Sequence, residues 1–363
     1  MQHESRALVL EAPRRLVERT LPVGDPGPDG AVVRVEACGL CGTDHEQYTG
    51  VLHPGYAFVP GHETVGVVEA VGSTAADRWG VGIGDRVAIE VFQSCRECAA
   101  CRAGAYQRCE RHGLRDMYGC IPVERAPGLW GGYAEYQHLG PDAIVHRVSD
   151  ALDPVVATLF NPVGAGVRWG VTVPGLRPDA VVAVLGPGVR GLSASAAAKE
   201  AGAAFVLVTG RGERDAGRLG VAPAFGADLT VDVAGADPVR ALRDATGGLA
   251  DVVLDVTAKA PDALGQAIAL ARPGGTVVVA GTRGEPVPIA ADTLVAKELH
   301  VVGALGVDSA SYRAALALLA SGRFPFADLP RRVVGLHDAE SLLLTMAGEG
   351  DTAPPVHGVI VPA

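Results

Sequence analysis

The sequence predicts an α/β protein of two domains, the first rich in β-strands and the second built on a doubly wound parallel sheet. Three observations predict this class. The chain has 363 residues, which exceeds the size at which one hydrophobic core usually stops growing. Short strand-like runs separated by glycine and proline fill the first part of the chain. Beyond residue 153, apolar strand-like runs alternate with helical segments.

The first part runs from residue 7 to about residue 152 and contains short runs of β-branched and apolar residues. Glycine and proline separate these runs, which is typical of a β-rich domain with many loops. The predicted strands cover residues 32–37, 64–71, 86–91 and 134–139.

The second part, residues 153–306, has a different pattern. A strand-like run at 180–185 precedes an alanine-rich helix at 191–201, and further strand-like runs follow. Apolar strands with helices between them indicate a parallel sheet covered on both faces. The rest of the chain contains an amphipathic helix at 309–321 and a final strand at 359–361. The further strands are predicted at residues 205–209, 229–231, 251–256, 276–280 and 301–303.

The composition is that of a globular protein, with 48% hydrophobic and 20% charged residues. No basic cluster offsets the net charge of −10, which argues against binding to nucleic acid or to an anionic membrane. The polar N-terminus does not have the pattern of a signal peptide, and no uninterrupted apolar stretch approaches the length of a membrane span. Seven cysteines without an export signal indicate a reducing, cytoplasmic location.

Four cysteines, Cys95, Cys98, Cys101 and Cys109, lie in one short stretch with the spacing C-x2-C-x2-C-x7-C. Four thiolates this close are typical of a closed tetrahedral site that holds one structural zinc. A disulfide pair and an iron–sulfur cluster are the alternatives. The long last gap, followed by Glu110 rather than proline, fits a bacterial ferredoxin motif poorly.

A second set of metal-binding residue types lies closer to the N-terminus. The string Cys-Gly-Thr-Asp-His-Glu at 41–46 is followed some twenty residues later by Gly-His-Glu at 61–63. A thiolate from Cys41 and an imidazole from His62, carried on separate loops, can hold a zinc ion and leave one position open for a substrate oxygen.

A G-x-G-x-x-G motif follows the strand predicted at 180–185. Gly186 permits the turn, Gly188 lets the backbone approach a pyrophosphate, and Gly191 lets the helix pack closely on the strand. Val189 and Arg190 lie inside the motif, where the first helical N–H groups face the phosphates of a dinucleotide. The alternative is a glycine turn in a doubly wound sheet that binds no ligand. The context of strand, turn and helix favours a Rossmann dinucleotide site.

The end of the next strand bears on the choice of cofactor. An NAD site usually has an acidic residue there, which binds the ribose 2′-hydroxyl. Gly210 occupies the expected position, and Arg211 and Arg214 follow it. Glycine leaves room for a 2′-phosphate, and arginine supplies a positive charge to bind it. NADP(H) is therefore favoured over NAD(H), which stays possible; the alternative is that these arginines are simply solvated in a surface loop.

Taken together, the two motifs at 41–46 and 61–63, the cysteine cluster and the glycine turn resemble the zinc-dependent medium-chain dehydrogenase/reductase family. This family includes alcohol, polyol, threonine and glucose dehydrogenases, and the resemblance spans nearly the whole chain. It implies a GroES-like catalytic domain over residues 1–152, with a structural-zinc lobe at about 92–112, and a Rossmann domain over 153–306. Residues 307–363 are then expected to return to the catalytic domain, with the active site in the cleft between the domains.

The resemblance also implies roles for individual residues. Cys41 and His62 match the ligands of the catalytic zinc, and Glu63 matches a neighbouring glutamate that binds the metal in polyol-dehydrogenase-like members. Thr43 matches the hydroxyl that passes the alcohol proton towards the cofactor ribose. The structural-zinc lobe matches Cys95, Cys98, Cys101 and Cys109. The family pattern thus implies two zinc ions per chain.

Two departures from the family pattern affect the catalytic site. Alcohol dehydrogenases of this family often have a histidine five residues after the zinc cysteine, as the outer end of the proton relay. This chain has Glu46 there, with His45 one residue earlier, and the proton is expected to pass from Thr43 through one of these two. The third protein ligand of the family is a cysteine, aspartate or glutamate, and the matching position here is Asn161, followed by proline. A neutral amide is a poor zinc ligand, so Asn161 is expected to orient water or substrate.

The predicted function is the reversible, NAD(P)-dependent oxidation of a secondary or polyol-type alcohol to its carbonyl, with a small molecule as the only expected substrate class. A homodimer or homotetramer is expected. Two alternatives stay open at this stage. One is a biosynthetic tailoring enzyme or epimerase that uses the cofactor transiently. The other is a nucleotide-binding protein without metal chemistry, in which Asn161 marks the loss of the metal site.

Overall fold

The computed structural model describes residues 4–350 and 352–362. The chain divides into two compact units. Unit 1 contains Met1–Asn161, Asp308–Gly322 and Phe326–Ala363, and unit 2 contains Pro162–Val307 and Arg323–Pro325.

The strands are distributed along the whole described chain and are numbered in chain order. They are β1 (Glu4–Ala12), β2 (Arg15–Pro22), β3 (Ala31–Leu40), β4 (Glu63–Val71), β5 (Arg86–Ile89), β6 (Tyr136–Leu139), β7 (Val145–Arg147), β8 (Val181–Leu185), β9 (Phe205–Gly210), β10 (Leu229–Asp232), β11 (Ala250–Asp255), β12 (Ala271–Val279), β13 (His300–Gly303), β14 (Arg331–Val334) and β15 (His357–Ile360).

The helices are mostly short, and the longest belong to the second half of the chain. They are α1 (Gly42–Thr49), α2 (Ser73–Trp79), α3 (Ala99–Arg102), α4 (Pro154–Ala157), α5 (Phe160–Val167), α6 (Val189–Glu200), α7 (Glu213–Val221), α8 (Pro238–Thr246), α9 (Ala263–Leu270), α10 (Ala291–Lys297), α11 (Ser309–Ser321) and α12 (Ala339–Ala347). A π-helical turn, Arg168–Thr172, continues α5, and single 3₁₀ turns lie at Tyr106–Arg108, Ala222–Phe225, Phe326–Asp328 and Leu336–Asp338.

Unit 1 is built on a seven-stranded sheet and a separate hairpin. The main path of the sheet runs β14-β15-β3-β4-β5-β7, and β6 pairs with β3 beside that path. The pairs are antiparallel except for β14 with β15. Because β15 pairs with β3, the end of the chain forms part of the same sheet as its beginning. Buried apolar side chains such as Val9, Phe58 and Leu342 form the core of this unit.

Unit 2 is a six-stranded parallel sheet in the order β10-β9-β8-β11-β12-β13. This order steps outward from β8 in one direction and then from β11 in the other, which is the strand order of the Rossmann fold. The switch point therefore lies between β8 and β11, where ligands bind at the carboxyl ends of the strands in such sheets. Leu185, Leu207, Val253 and Val277 are fully or almost fully buried in its core.

The fold class predicted from the sequence is confirmed, with a β-rich GroES-like unit and a parallel-sheet unit. The strands expected at 205–209 and 301–303 correspond to β9 and β13, and the helix expected at 309–321 corresponds to α11. The strand expected at 134–139 begins later, at Tyr136, because Ala134 pairs instead with Ala7 in an isolated bridge.

Candidate metal, cofactor and catalytic sites

The four cysteines of the predicted lobe gather around α3. Their sulfur atoms all lie within 4.8 Å of one another. The backbone N–H of Cys98 donates to Sγ of Cys95, and the N–H of Cys101 donates to Sγ of Cys98, each at 3.4 Å. Cys95 and Cys109 are buried. The spacing of the sequence thus produces a compact set of four sulfur donors.

The electrostatics of this cluster fit a bound cation. Backbone N–H groups of Cys98 and Glu97 lower the pKa of Cys95, and those of Glu110 and Cys101 lower the pKa of Cys98. Burial raises the pKa of Cys101 to about 11, because a thiolate taken out of water is costly without a positive charge beside it. A zinc ion supplies that charge, and four thiolates in tetrahedral reach are its preferred structural ligands.

Cys41, His62 and Glu63 form a second donor group. One ligand atom from each lies within 4.8 Å of the other two, and Sγ of Cys41 lies 3.2 Å from Nε2 of His62. Cys41 is the N-cap of α1, and Glu63 is the first residue of β4. His62 and Glu63 are buried. A thiolate, an imidazole and a carboxylate converging in this way fit a zinc ion that keeps a position open.

Asp44 completes the surroundings of this group, and the sequence analysis missed it. Its Oδ2 accepts the backbone N–H of Cys41 at 2.8 Å, and its Oδ1 lies 3.5 Å from Nδ1 of His62. Burial on its own lowers the pKa of His62, but Cys41 and Asp44 outweigh burial and raise that pKa to about 10. The negative charge concentrated here favours a cation. The available signal in the sequence was a carboxylate three residues after the N-cap, which is typical of a capping box.

Asn161 lies against Glu63. Its Nδ2 donates to Oε1 of Glu63 at 2.8 Å, and its Oδ1 accepts a hydrogen bond from the hydroxyl of Tyr312, also at 2.8 Å. Asn161 and Tyr312 are both buried. No local pattern indicates Tyr312, because 151 positions separate it from Asn161.

Thr43, His45 and Glu46 all lie on α1, and their side chains are half-buried. Nε2 of His45 lies 2.7 Å from Oε1 of Glu349, in the segment that follows α12. Glu349 also forms an ion pair with Arg14 at 3.3 Å. The three residues predicted to relay a proton thus share α1 with Cys41, its N-cap residue. The imidazole of His45 is held by the carboxylate of Glu349.

The glycine turn of unit 2 joins β8 to α6. Gly186 has a φ of +104°, and a Cβ on Gly191 would lie 1.8 Å from the carbonyl oxygen of Gly186, so neither position accepts a side chain without displacement. A Cβ on Gly188 would meet nothing within 4 Å, which leaves its backbone open to a ligand. Val189 begins α6, and the guanidinium carbon of Arg190 lies 5.5 Å from the centre of the Trp169 ring.

The end of β9 contains no acidic side chain, and it has no room for one. A Cβ on Gly210 would lie 2.9 Å from side-chain atoms of Pro187 and Asp215. Arg211 and Arg214 follow with exposed side chains. The backbone N–H of Arg211 donates to Oδ2 of Asp215 at 2.9 Å. The loop is therefore held by its backbone, while the guanidinium groups stay accessible.

A buried ion pair lies at the same carboxyl edge of the sheet, and the sequence analysis did not identify it. Asp255, the last residue of β11, pairs with Arg283, and Oδ1 of Asp255 also accepts hydrogen bonds from the backbone and hydroxyl of Thr257. A Cβ on Gly186 would lie 3.2 Å from Thr257. The glycine turn and the loop after β11 thus lie side by side at the switch point.

Two family models match the chain in agreement with this architecture. Residues 27–150 match the alcohol dehydrogenase GroES-like domain, and residues 188–321 match the zinc-binding dehydrogenase domain. The chain belongs to the zinc-dependent medium-chain dehydrogenase/reductase family, whose members are NAD(P)-linked oxidoreductases that interconvert alcohols and carbonyls.

Particular relatives agree with this membership. A Mycobacterium tuberculosis protein described as a probable alcohol dehydrogenase is 69% identical over 360 residues, covering 98% of each chain. The erythritol/L-threitol dehydrogenase of Mycolicibacterium smegmatis is 32% identical over 338 residues, covering 89% of each. A Sinorhizobium meliloti structure described as a zinc-binding dehydrogenase bound to NADP has a TM-score of 0.85 and 29% identity, and the match covers 99% of this chain and 100% of that one.

These matches do not favour the two alternatives left open by the sequence, an epimerase or tailoring enzyme and a nucleotide-binding protein without metal chemistry. Within residues 4–350 and 352–362, no helix is both long and apolar enough to cross a membrane.

Proposed function

We propose that the chain is a zinc-dependent dehydrogenase that favours NADP(H) and interconverts a secondary or polyol-type alcohol with its carbonyl. The observation that carries this proposal is the convergence of one donor atom each from Cys41, His62 and Glu63 within 4.8 Å. When bound there, zinc supplies a Lewis acid that lowers the pKa of a substrate alcohol towards neutrality. The four-cysteine lobe takes a second, structural zinc, giving two ions per chain.

The residues around this group then have distinct tasks. The hydroxyl of Thr43 relays the proton that the alcohol releases: it accepts that proton while it donates its own onward, because a hydroxyl both accepts and donates hydrogen bonds. Glu46 or His45 carries the proton outward, and the contact between His45 and Glu349 supports a route along the outer side of α1. Asn161 stays outside the ligand set, which is supported by its hydrogen bond to Glu63. The first set of protein ligands is then Cys41, His62 and Glu63.

The cofactor preference rests on the loop after β9. A carboxylate at position 210 would repel a 2′-phosphate. Position 210 is glycine, and the tight packing around it leaves no room for an acidic side chain. Arg211 lies 4.0 Å from the exposed carboxylate of Asp262, but 73% of its side chain is exposed, so its guanidinium can turn to a phosphate. The pyrophosphate is expected at the open backbone of Gly188 and the N-terminus of α6. The NADP bound to the Sinorhizobium meliloti relative agrees with this preference.

The substrate class follows from the relatives and from the carboxylate next to the histidine ligand. The Mycolicibacterium smegmatis relative acts on erythritol and L-threitol, and a Bacillus subtilis relative is a sorbitol dehydrogenase. We therefore propose a polyol or another secondary alcohol as substrate.

The functional domains that we propose are residues 1–152 and 307–363 for catalysis and residues 153–306 for cofactor binding. A homodimer or homotetramer is also proposed. The edge strand β13 supports this assembly, because its four residues are all exposed and include Val301 and Val302. A cytoplasmic location is supported by the use of cysteines as clustered thiols.

A paired measurement tests the function. The protein is supplied with erythritol, sorbitol and simple secondary alcohols in the presence of NADP or NAD, and the formation of reduced nicotinamide is followed. The expected result is turnover with at least one polyol or secondary alcohol, faster with NADP, and its loss on Cys41→Ser with the fold retained. Turnover that is unchanged in Cys41→Ser, or absent with every alcohol and carbonyl tried, contradicts the proposal.

A further inference from the structure

A chain of hydrogen bonds connects α11 with the candidate metal ligand Glu63. The hydroxyl of Tyr312 donates to Oδ1 of Asn161, and Nδ2 of Asn161 donates to Oε1 of Glu63, each at 2.8 Å. The three side chains are 1%, 5% and 1% exposed, respectively. Water is therefore not available to replace either hydrogen bond, and an unpaired group at this place is costly.

The polarity of this chain requires a side chain at position 161 that accepts a hydrogen bond on one side and donates one on the other. A phenol hydroxyl on one side offers a proton, and a carboxylate on the other side accepts one. A side-chain amide satisfies both neighbours only when its oxygen faces Tyr312 and its nitrogen faces Glu63. The flipped amide would place its oxygen against the Glu63 carboxylate, and the proton of the Tyr312 hydroxyl would lose its acceptor. Burial raises the pKa of Tyr312 well above its ordinary value, so the phenol keeps its proton and stays a donor.

The position of Tyr312 is itself fixed by its helix and by neighbouring rings. The carboxylate of Asp308 accepts the backbone N–H of Ser311 at 2.9 Å and caps α11. The hydroxyl of Ser309 donates to the buried carboxylate of Glu90 at 2.5 Å. The ring of Tyr312 lies 5.2 Å from that of Phe160, measured between centroids. The donor is therefore held in place before any ligand binds.

Glu63 is confined on its other side as well. A Cβ on Gly39 would lie 2.5 Å from Oε2 of Glu63, so the carboxylate fits against the backbone of β3 only because residue 39 is glycine. Oε1 of Glu63 therefore accepts the Asn161 amide, while Oε2 lies against Gly39.

We propose that Tyr312 is a positioning residue for the catalytic metal site: it fixes the orientation of the Asn161 amide, which in turn fixes the carboxylate of Glu63. This rests on the proposed function, since it takes Glu63 as a metal ligand. It also accounts for an amide rather than an acidic residue at position 161. A carboxylate at 161 would face that of Glu63 at hydrogen-bond distance, whereas the amide presents a donor. The oxygen of Asn161 is held by Tyr312 and is not a ligand.

Cobalt(II) binding tests this positioning role without relying on turnover. Metal-free protein is titrated with Co²⁺, and the visible bands that depend on Cys41 are obtained by subtracting the spectrum of the Cys41→Ser variant. Tyr312→Phe is expected to weaken this binding about tenfold and to shift the bands, because a residue that orients a ligand typically changes metal affinity by about 10–100-fold. In the Asn161→Ala background, Tyr312→Phe is expected to add less than about a twofold effect, since its partner is already absent.

Tyr118→Phe is the matched control, because Tyr118 is also 1% exposed and its hydroxyl accepts the N–H of Gly140 instead of contacting Asn161. Its cobalt spectrum is expected to equal that of the parent. Parent-like cobalt affinity and bands in Tyr312→Phe overturn the proposal. So does a loss of cobalt affinity from Tyr312→Phe that is as large in the Asn161→Ala background as in the parent. If Tyr312→Phe does not fold, Asn161→Leu is used, and parent-like cobalt binding there overturns the proposal too. Parent protein without a Cys41-dependent cobalt band contradicts the proposed function instead.

Discussion

The carboxylate of Asp44 faces the imidazole of His62, with 3.5 Å between Oδ1 of Asp44 and Nδ1 of His62. Both side chains are buried, and neither atom has a hydrogen-bond partner among the described residues, so the two groups face each other as a buried ion pair. Nε2 of His62 lies 3.2 Å from Sγ of Cys41, so Nδ1 is the ring nitrogen that faces the Asp44 carboxylate. In a histidine that binds a metal through Nε2, Nδ1 carries the proton, and we expect Asp44 to orient the ring of this candidate ligand.

The first prediction follows from this pair. Asp44→Asn keeps the volume and an oxygen that can accept the N–H of Cys41, but it replaces a charged acceptor near His62 with a neutral amide. Zinc affinity at the catalytic site is expected to fall by about 10–100-fold. Competition with a coloured chelator measures this, and Asp77→Asn, on the exposed face of α2, is the control. Equal zinc affinity in Asp44→Asn and the parent contradicts the assigned role.

The second prediction concerns the number and the separate tasks of the metal ions. Elemental analysis of protein purified without added metal is expected to give about two zinc ions per chain, because two separate donor groups are present. Cys98→Ser is expected to lower the temperature of unfolding, since a structural zinc contributes directly to folding free energy. Cys41→Ser is expected to keep the fold and one zinc ion, and to lose turnover. A single zinc that persists in Cys41→Ser would show that only the four-cysteine lobe binds metal.

The third prediction tests the cofactor preference. Arg211→Ala is expected to weaken NADPH binding about tenfold while leaving NADH binding nearly unchanged, because only the phosphorylated cofactor offers a partner for the guanidinium. Fluorescence titration of both cofactors measures the two affinities. Arg240→Ala is the matched control, since Arg240 is an exposed arginine of unit 2 on α8. Parent protein that binds the two cofactors equally well would show that Arg211 does not select NADP.

The fourth prediction concerns pH and His357, which lies in β15. Its Nε2 pairs with the hydroxyl of Thr158 at 3.2 Å, while its Nδ1 is buried without a hydrogen-bond partner among the described residues. Burial, with a smaller contribution from Arg331, lowers the pKa of His357 to about 3. The unfolded chain binds a proton at this histidine near pH 6.5, so stability is retained above that pH and is lost as the pH falls towards 3.

His357→Gln removes the titrating group and keeps an amide donor for Thr158. Between pH 7 and pH 5.5, the parent is expected to lose about 1 kcal/mol more unfolding free energy than the variant. Urea unfolding at both pH values measures this difference. Parallel losses in the two proteins would mean that His357 is not buried in its neutral form.

Short-range spacing accounts for most of what could be predicted from the sequence. The four cysteines lie within fifteen positions, and a turn between β8 and α6 needs only the glycines of one motif, so local geometry alone brings these groups together. The alternation of apolar strands and helices predicts a parallel sheet for the same reason, because each element is specified by its own residues. The roles assigned to Thr43, His45 and Glu46 stay predictions.

The tertiary structure decided the contacts that no local pattern contains. The sequence by itself determined the two ligand groups, the glycine turn and the neutral residue at position 161. It did not determine that Tyr312 donates to Asn161 across 151 positions, or that β15 pairs with β3 at the other end of the chain. Nor did it show that packing around Gly210 excludes a side chain. Such contacts depend on which elements meet when the core closes, and a buried donor finds its acceptor only once that packing exists.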